Sequence, residues 1–183
     1  TRCTSRRQRQ MCIRDRDEMI EKLFLDWEDY FLLEEILKRH PEWLEHTENH
    51  PDSNKTFNIT IPCPLQGNPP ICIDNLGDGP NIFFGPPHFD FYSLSRISPI
   101  TSFHWFDKFN VQCVDAIDIV VNEIISEELI AAYRKGFMGP CGFLNKDEFK
   151  DYLELDKIIK SVSWYGTYNH NYNGEWADPF PEY

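Results

Sequence analysis

Apolar residues change their spacing twice along this chain, and those two changes restrict the fold more than any other feature. Residues 17–39, DEMIEKLFLDWEDYFLLEEILKR, repeat Ile20, Leu23, Phe24, Trp27, Tyr30, Phe31 and Leu37 at mostly three- and four-residue intervals, the period of an amphipathic helix. Asp17 and Glu18 at its start and Lys38 and Arg39 at its end complement the helix dipole, and Pro41 closes it. From Thr56 the period falls to two. Phe57, Ile59 and Ile61 alternate with Asn58 and Thr60, which predicts a half-buried strand stopped by Pro62 and Pro64. Helical spacing returns over 107–126, where Phe109, Cys113, Ile117, Val120 and Ile124 form a stripe flanked by Val114 and Val121, with Asp107 as N-cap.

Between these segments the elements are short. Ile71 and Ile73 mark a second strand, Asp74–Pro80 a turn rich in Gly and Asp, and Ile82–Phe84 a third strand. A polar loop is expected over His46–Lys55. The run ELIAAYR (128–134) fits a continued helix or a strand. A strand over 129–134 is favoured, with Cys141–Leu144 as its partner, because Gly136, Gly139, Pro140 and Gly142 resist a helix. Ile158–Tyr168, rich in β-branched and aromatic residues, predicts the last strand, and 169–183 an irregular tail. The fold class expected is therefore α+β: an antiparallel sheet of about five or six strands with helices 17–39 and 107–126 packed on it.

Charge divides the chain unevenly. Residues 1–16 hold six Arg against Asp15, so the remainder carries twelve basic and twenty-nine acidic side chains, a net of −17. The stretch MCIRDR (11–16) resembles the translation of a sequencing-library adapter, and residues 1–16 are read as a non-native N-terminal artefact. Residues 17–183 then form one globular domain, of a length that usually supports its own core. With 41% hydrophobic and 15% aromatic residues the chain is not of the disordered class. No apolar run approaches the roughly 18 residues of a membrane span, and no leader pattern precedes the domain. The expected location is the cytoplasm. The acid excess repels phosphate backbones and anionic lipid, which argues against nucleic acid and membrane surfaces and favours a basic partner.

Sites of chemistry are sparse. Cys63, Cys72, Cys113 and Cys141 are far apart without a CxxC pair, so zinc-ribbon and thioredoxin readings lack their spacing. Small core residues are the favoured reading for them, with a disulfide as the competitor. LGDGP (76–80) lacks the Lys-Ser/Thr of a phosphate loop and reads as a hairpin turn, and no Ser lies in a GxSxG context. His40, His46, His50 and His170 sit in polar stretches and read as solvated. GPPHFDFY (85–92) is the densest cluster: His88 and Asp90 are two apart, facing one side of an extended segment, with His104 the nearest third ligand. Metal binding and acid/base chemistry are both open there, beside the favoured reading of a packed or interface loop. As binding residues His88, Asp90, Phe91, His104 and Trp176 are the candidates; Trp43, Trp176 and Tyr172 are aromatic anchors of the kind interfaces use. No catalytic or metal-binding residue is assigned and no cofactor is expected.

The succession of a helix, FNITIPCP (57–64), a short Ile strand, FFGPPHFDFY (83–92), a helix ending in NEIISEELIAAYR (122–134) and SVSWYGTY (161–168) resembles a group of small bacterial cytosolic α+β proteins. Some of these are immunity proteins of polymorphic toxin systems. Their pattern is a strand leading into an F-x-x-x-H-x-x-F loop, here Phe84–Phe91, and a helix leading into ILNEELVVV, here Ile124–Ala132. The chain departs from it at Pro86-Pro87 and at Cys63. The resemblance implies no catalytic residues; it implies a binder that occludes a toxin. The function expected is thus that of a non-enzymatic acidic binding protein, an immunity protein neutralising a basic toxin. The alternative is a small metal-dependent or acid/base hydrolase built on the His88/Asp90 loop.

Overall fold

The computed structural model describes residues 25–76, 79–85, 87–89, 106–134, 141–154 and 158–171, together with Ile20 and Leu23. The fold is α+β. Among the described residues nine strands form two antiparallel sheets, where the sequence led us to expect one sheet of five or six strands.

The first sheet is a meander in which every strand pairs with its sequence neighbour: β1 (Thr47–His50), β2 (Ser53–Ile61), β3 (Ile71–Asp74), β4 (Asn81–Phe84) and β5 (His88–Phe89). Its register places Ile59 opposite Ile73 and Ile71 opposite both Ile61 and Phe84. The inward face is therefore built from Phe57, Ile59, Ile71, Ile73, Ile82 and Phe84, all fully buried. The alternation seen from Thr56 is the imprint of this one-sided burial. The loop expected at His46–Lys55 is instead a hairpin. A 3-10 helix (Pro41–His46) leads into β1, which pairs with β2. No residue of β1 is fully buried, so its polar sequence carried no apolar alternation to reveal a strand.

Two helices cover that face. Helix α1 spans Trp27–Arg39; Leu25 and Asp26 break the helix expected over 17–39, whose first part, apart from Ile20 (helical) and Leu23 (in a bend), lies outside the described residues. Asp26 is extended (φ −65°, ψ 159°), and its N–H donates to Lys55 O at 2.7 Å, tying the chain to β2 at the point where a longer helix would have passed. Helix α2 spans Phe106–Ile125, close to the expected 107–126. Of its predicted stripe, Cys113, Ile117, Val120 and Ile124 are fully buried, beside Val114 and Val121; the side chain of Phe109 lies outside the described set. They share a core with Leu32, Leu33, Ile36 and Leu37 of α1 and with the inward face of the meander.

The second sheet has the order β7-β6-β8-β9, with β6 Leu129–Arg134, β7 Cys141–Asn145, β8 Ile158–Val162 and β9 His170–Asn171. The expected 129–134 strand and its 141–144 partner are both present and antiparallel. The strand expected over 158–168 stops at Val162, because Ser163–Tyr168 turn back through Gly166 (φ +80°) to bring β9 against β8. Successive residues of β6 serve two cores. Ala131 joins the main one, while Ile130 and Ala132 pack with Leu144, Ile158 and Phe149 in a smaller one. Phe149 belongs to α3 (Lys146–Glu154), a helix the sequence reading missed. Its signal was a capping box: Asn145 Oδ1 accepts the Glu148 N–H at 2.9 Å, and Glu148 Oε2 accepts the Asn145 N–H at 3.3 Å.

Candidate functional site: polar locks and an uncharged knuckle

His88 begins β5, its backbone paired with that of Phe83. Its side chain, and the whole of Asp90, Phe91, His104, Tyr172 and Trp176, lie outside the described residues, as do residues 1–16. Among the described residues no group of three His, Cys, Asp or Glu side chains is placed to hold a metal ion. Trp43 is buried, at 6% exposure, rather than displayed.

Three polar clusters that the sequence did not indicate hold the elements together. At the end of α1, Arg39 Nη1 donates to Asp115 Oδ1 (2.6 Å) and Asp118 Oδ2 (2.8 Å) on α2. Burial works against the Arg39 charge, but the two carboxylates hold its pKa above the ordinary value. His40, expected to be solvated, has Nε2 2.6 Å from Asp118 Oδ1 and its ring stacked 3.8 Å from that of Trp43. Asp115 and Asp118 thus fasten the C-terminus of α1 to α2, Asp118 holding both Arg39 and His40.

The second cluster lies at the turn end of the meander. Asp74 Oδ1 accepts the Leu76 N–H at 3.0 Å and Asn81 Nδ2 at 2.8 Å, closing the β3–β4 hairpin that LGDGP predicted. His50, whose side chain is 10% exposed, accepts the Asp52 N–H at Nδ1 (3.1 Å), which leaves its proton on Nε2, 3.6 Å from Asp74 Oδ2. Nearby, buried Asp29 accepts from Thr56 Oγ1 (3.0 Å) and Asn75 Nδ2 (2.7 Å), anchoring α1 to the sheet.

The third cluster centres on Glu127, in the left-handed region (φ +57°) between α2 and β6 and 7% exposed. Its Oε1 accepts from Ser163 Oγ (2.7 Å), the Tyr165 N–H (2.7 Å) and the Thr167 N–H (3.3 Å). Burial disfavours the charge, but hydrogen bonds from the Thr167 and Ser163 side chains and from the Tyr165 and Thr167 backbone outweigh it and hold the carboxyl below the usual range. Ser163 Oγ also accepts the Tyr168 N–H at 3.0 Å, so this hydroxyl is committed to the turn and not poised as a nucleophile. The same turn reaches the first sheet. Asn68 Nδ2 donates to Ser163 O (2.7 Å), Asn169 Nδ2 to Asn68 Oδ1 (3.0 Å), and Cys63 Sγ to Trp164 O (3.1 Å).

Cys63, Cys72 and Cys113 are free thiols. Burial raises the pKa of each, that of Cys113 to about 12, so none is an activated thiolate at neutral pH. What the described part of the molecule offers chemically is a set of polar locks, with the buried Asn75 Oδ1 left without a partner in the second, and an exposed aromatic residue, Tyr165, at the third. No family model, curated protein or solved structure matches the chain.

Proposed function

We propose that this chain is a non-enzymatic binding protein whose partner is a basic protein, and that occlusion of a cognate bacterial toxin is the form this binding takes. The observation that carries the reading is the acid excess: a net of −17 over residues 17–183. Glu42, Glu45, Glu48 and Asp52 line the exposed stretch from the 3-10 helix into the β1–β2 turn, whose own sequence (41–52) contains no Lys or Arg. A field of one sign speeds encounter with an opposite charge and discourages like-charged partners. No described helix is long and apolar enough to cross a membrane.

Salt separates this reading from its rivals. Between 0.1 M and 1 M salt the Debye length contracts from about 10 Å to about 3 Å. Association with the product of the adjacent gene, followed by stopped flow, should slow by about tenfold or more over that range, while dissociation changes less. A salt-independent on-rate rejects electrostatic steering. Failure of the neighbouring products to bind at all rejects the toxin-neutralising reading.

A further inference from the structure

Two stretches without charge meet at one place in this strongly charged chain. Residues 56–73 and 161–171 hold no Asp, Glu, Lys or Arg. The β2–β3 connection (62–70) belongs to the first stretch and the Ser163–Asn169 turn to the second, and the hydrogen bonds from Asn68 and Cys63 bind one to the other. Leu65 lies over Gly166, where an added Cβ would come within 2.6 Å of Leu65 Cδ2. Tyr165 is 59% exposed and Leu65 39%, while Trp164, the residue before Tyr165, is only 5% exposed, its ring 5.9 Å from that of Phe84 in the main core. The result is a knuckle with an aromatic residue rooted in the core and another displayed outward.

We propose that this knuckle, centred on Tyr165 and Leu65, is the contact surface through which the protein seats a basic protein partner. The inference rests on the binding role proposed above and adds its location. Interfaces concentrate their energy in uncharged, aromatic patches that are ordered before the partner arrives, ringed by groups that steer. Both conditions are met. The Glu127 carboxylate and the Asn68–Asn169 bridge fix the turn from beneath, so Tyr165 has little backbone freedom left to lose on binding. At the rim, α3 packs Phe149 against Tyr168 of the turn (ring centroids 5.6 Å apart) and carries four acidic against two basic side chains, Lys146 paired with the exposed Glu128 at 2.7 Å and Lys150 with Asp147 at 3.6 Å. A second copy of the chain would meet this acidic rim with its own, whereas a basic surface presenting an apolar centre complements both parts.

A phage-displayed library of random linear peptides, selected on the full chain, tests the surface without requiring the natural partner. Enriched peptides should carry Lys or Arg beside apolar or aromatic residues. Their affinity should fall about tenfold or more for Tyr165→Ala and, independently, for Leu65→Ser, with melting temperatures showing both variants folded. Ile119→Ser, at an exposed apolar position on α2, should bind as the wild type does. Peptides that hold equally to Tyr165→Ala and Leu65→Ser, that are lost instead on Ile119→Ser, or that fail to enrich would overturn the proposal. Self-association seen by sedimentation and abolished in Tyr165→Ala would overturn it in favour of a second copy. If peptides seat at Tyr165 but no neighbouring gene product binds, the surface stands and the toxin-neutralising reading falls. If a neighbouring product binds with unchanged affinity to both variants, the reading stands and the surface falls.

Discussion

The two sheets bury themselves in different ways. The five-stranded meander turns one face to the core and leaves Asn58, Thr60 and Cys72 part-exposed on the other. The four-stranded sheet is covered on both sides, by the main core and by α3, so that neighbouring residues of β6 enter different clusters. One-sided burial writes a period of two into the sequence; two-sided burial writes a continuous apolar run such as Leu129–Ala132, which a buried helix would also produce. The contrast is energetic as well. The first sheet shares a large core with two helices, whereas the outer face of the second is held by five buried residues.

Paired truncations would break or sharpen that contrast. Ile73→Ala, in the meander, should cost about 4 kcal/mol, and Ile158→Ala, in the small core, about 2 kcal/mol, opposite ends of the usual range for such changes because the smaller cluster can collapse into its gap. Chemical denaturation of the two variants measures both, and equal losses would show that the second core is as tightly packed as the first.

The link between the sheets comes next in size. Glu127→Gln keeps the shape but removes the charge from a carboxylate with three donors, and should cost about 1–3 kcal/mol at neutral pH. Because the folded pKa of Glu127 lies below its unfolded value, about 4.3 for a free Glu, the stability it supplies is complete above that value. It drains away as pH falls through the folded pKa. The gap between wild type and variant should therefore be flat from about pH 7 to 5 and close as the pH falls on through the folded pKa. A gap that persists unchanged into acid would show that the bonds do not depend on the charge.

The smallest effect is expected at the cap of α3. Asn145→Ala should cost about 1 kcal/mol and loosen the outer cover of the second sheet, seen as faster amide exchange in Leu144 and Phe149 while Ile73 and Ile117 stay protected. A uniform increase across both cores would mean that the sheets open together.

How much of this was legible follows from the same physics. Strands β3, β4, β6 and β7 and helix α2 stood close to their expected places, since each carries an apolar pattern matched to its burial. Strand β1 and the start of α1 did not, because polar pairing to β2 and the Asp26–Lys55 bond are long-range facts without a local period. Helix α3 was readable from Asn145 and Glu148 but too short for its three apolar residues to register as a stripe. Of the functional reading, the acid excess was visible at once. The knuckle was not, because it needs two segments about a hundred residues apart to be brought together by Asn68, Cys63 and Gly166.

The uncharged run from Thr56 to Ile73 also bears on the chain before it has folded. FNITI combines high β-propensity with no charge, the composition that lets identical segments of separate molecules stack into fibrils while still exposed. Pro62, Pro64, Pro69 and Pro70 interrupt the run just beyond that strand, and a proline there cannot donate to an intermolecular ladder. The acidic remainder keeps newly made chains apart while the meander closes. The same stretch that leaves the finished surface without charge thus carries its own guard against precipitation, two prolines set just after the strand that most needs one and two more just before the next.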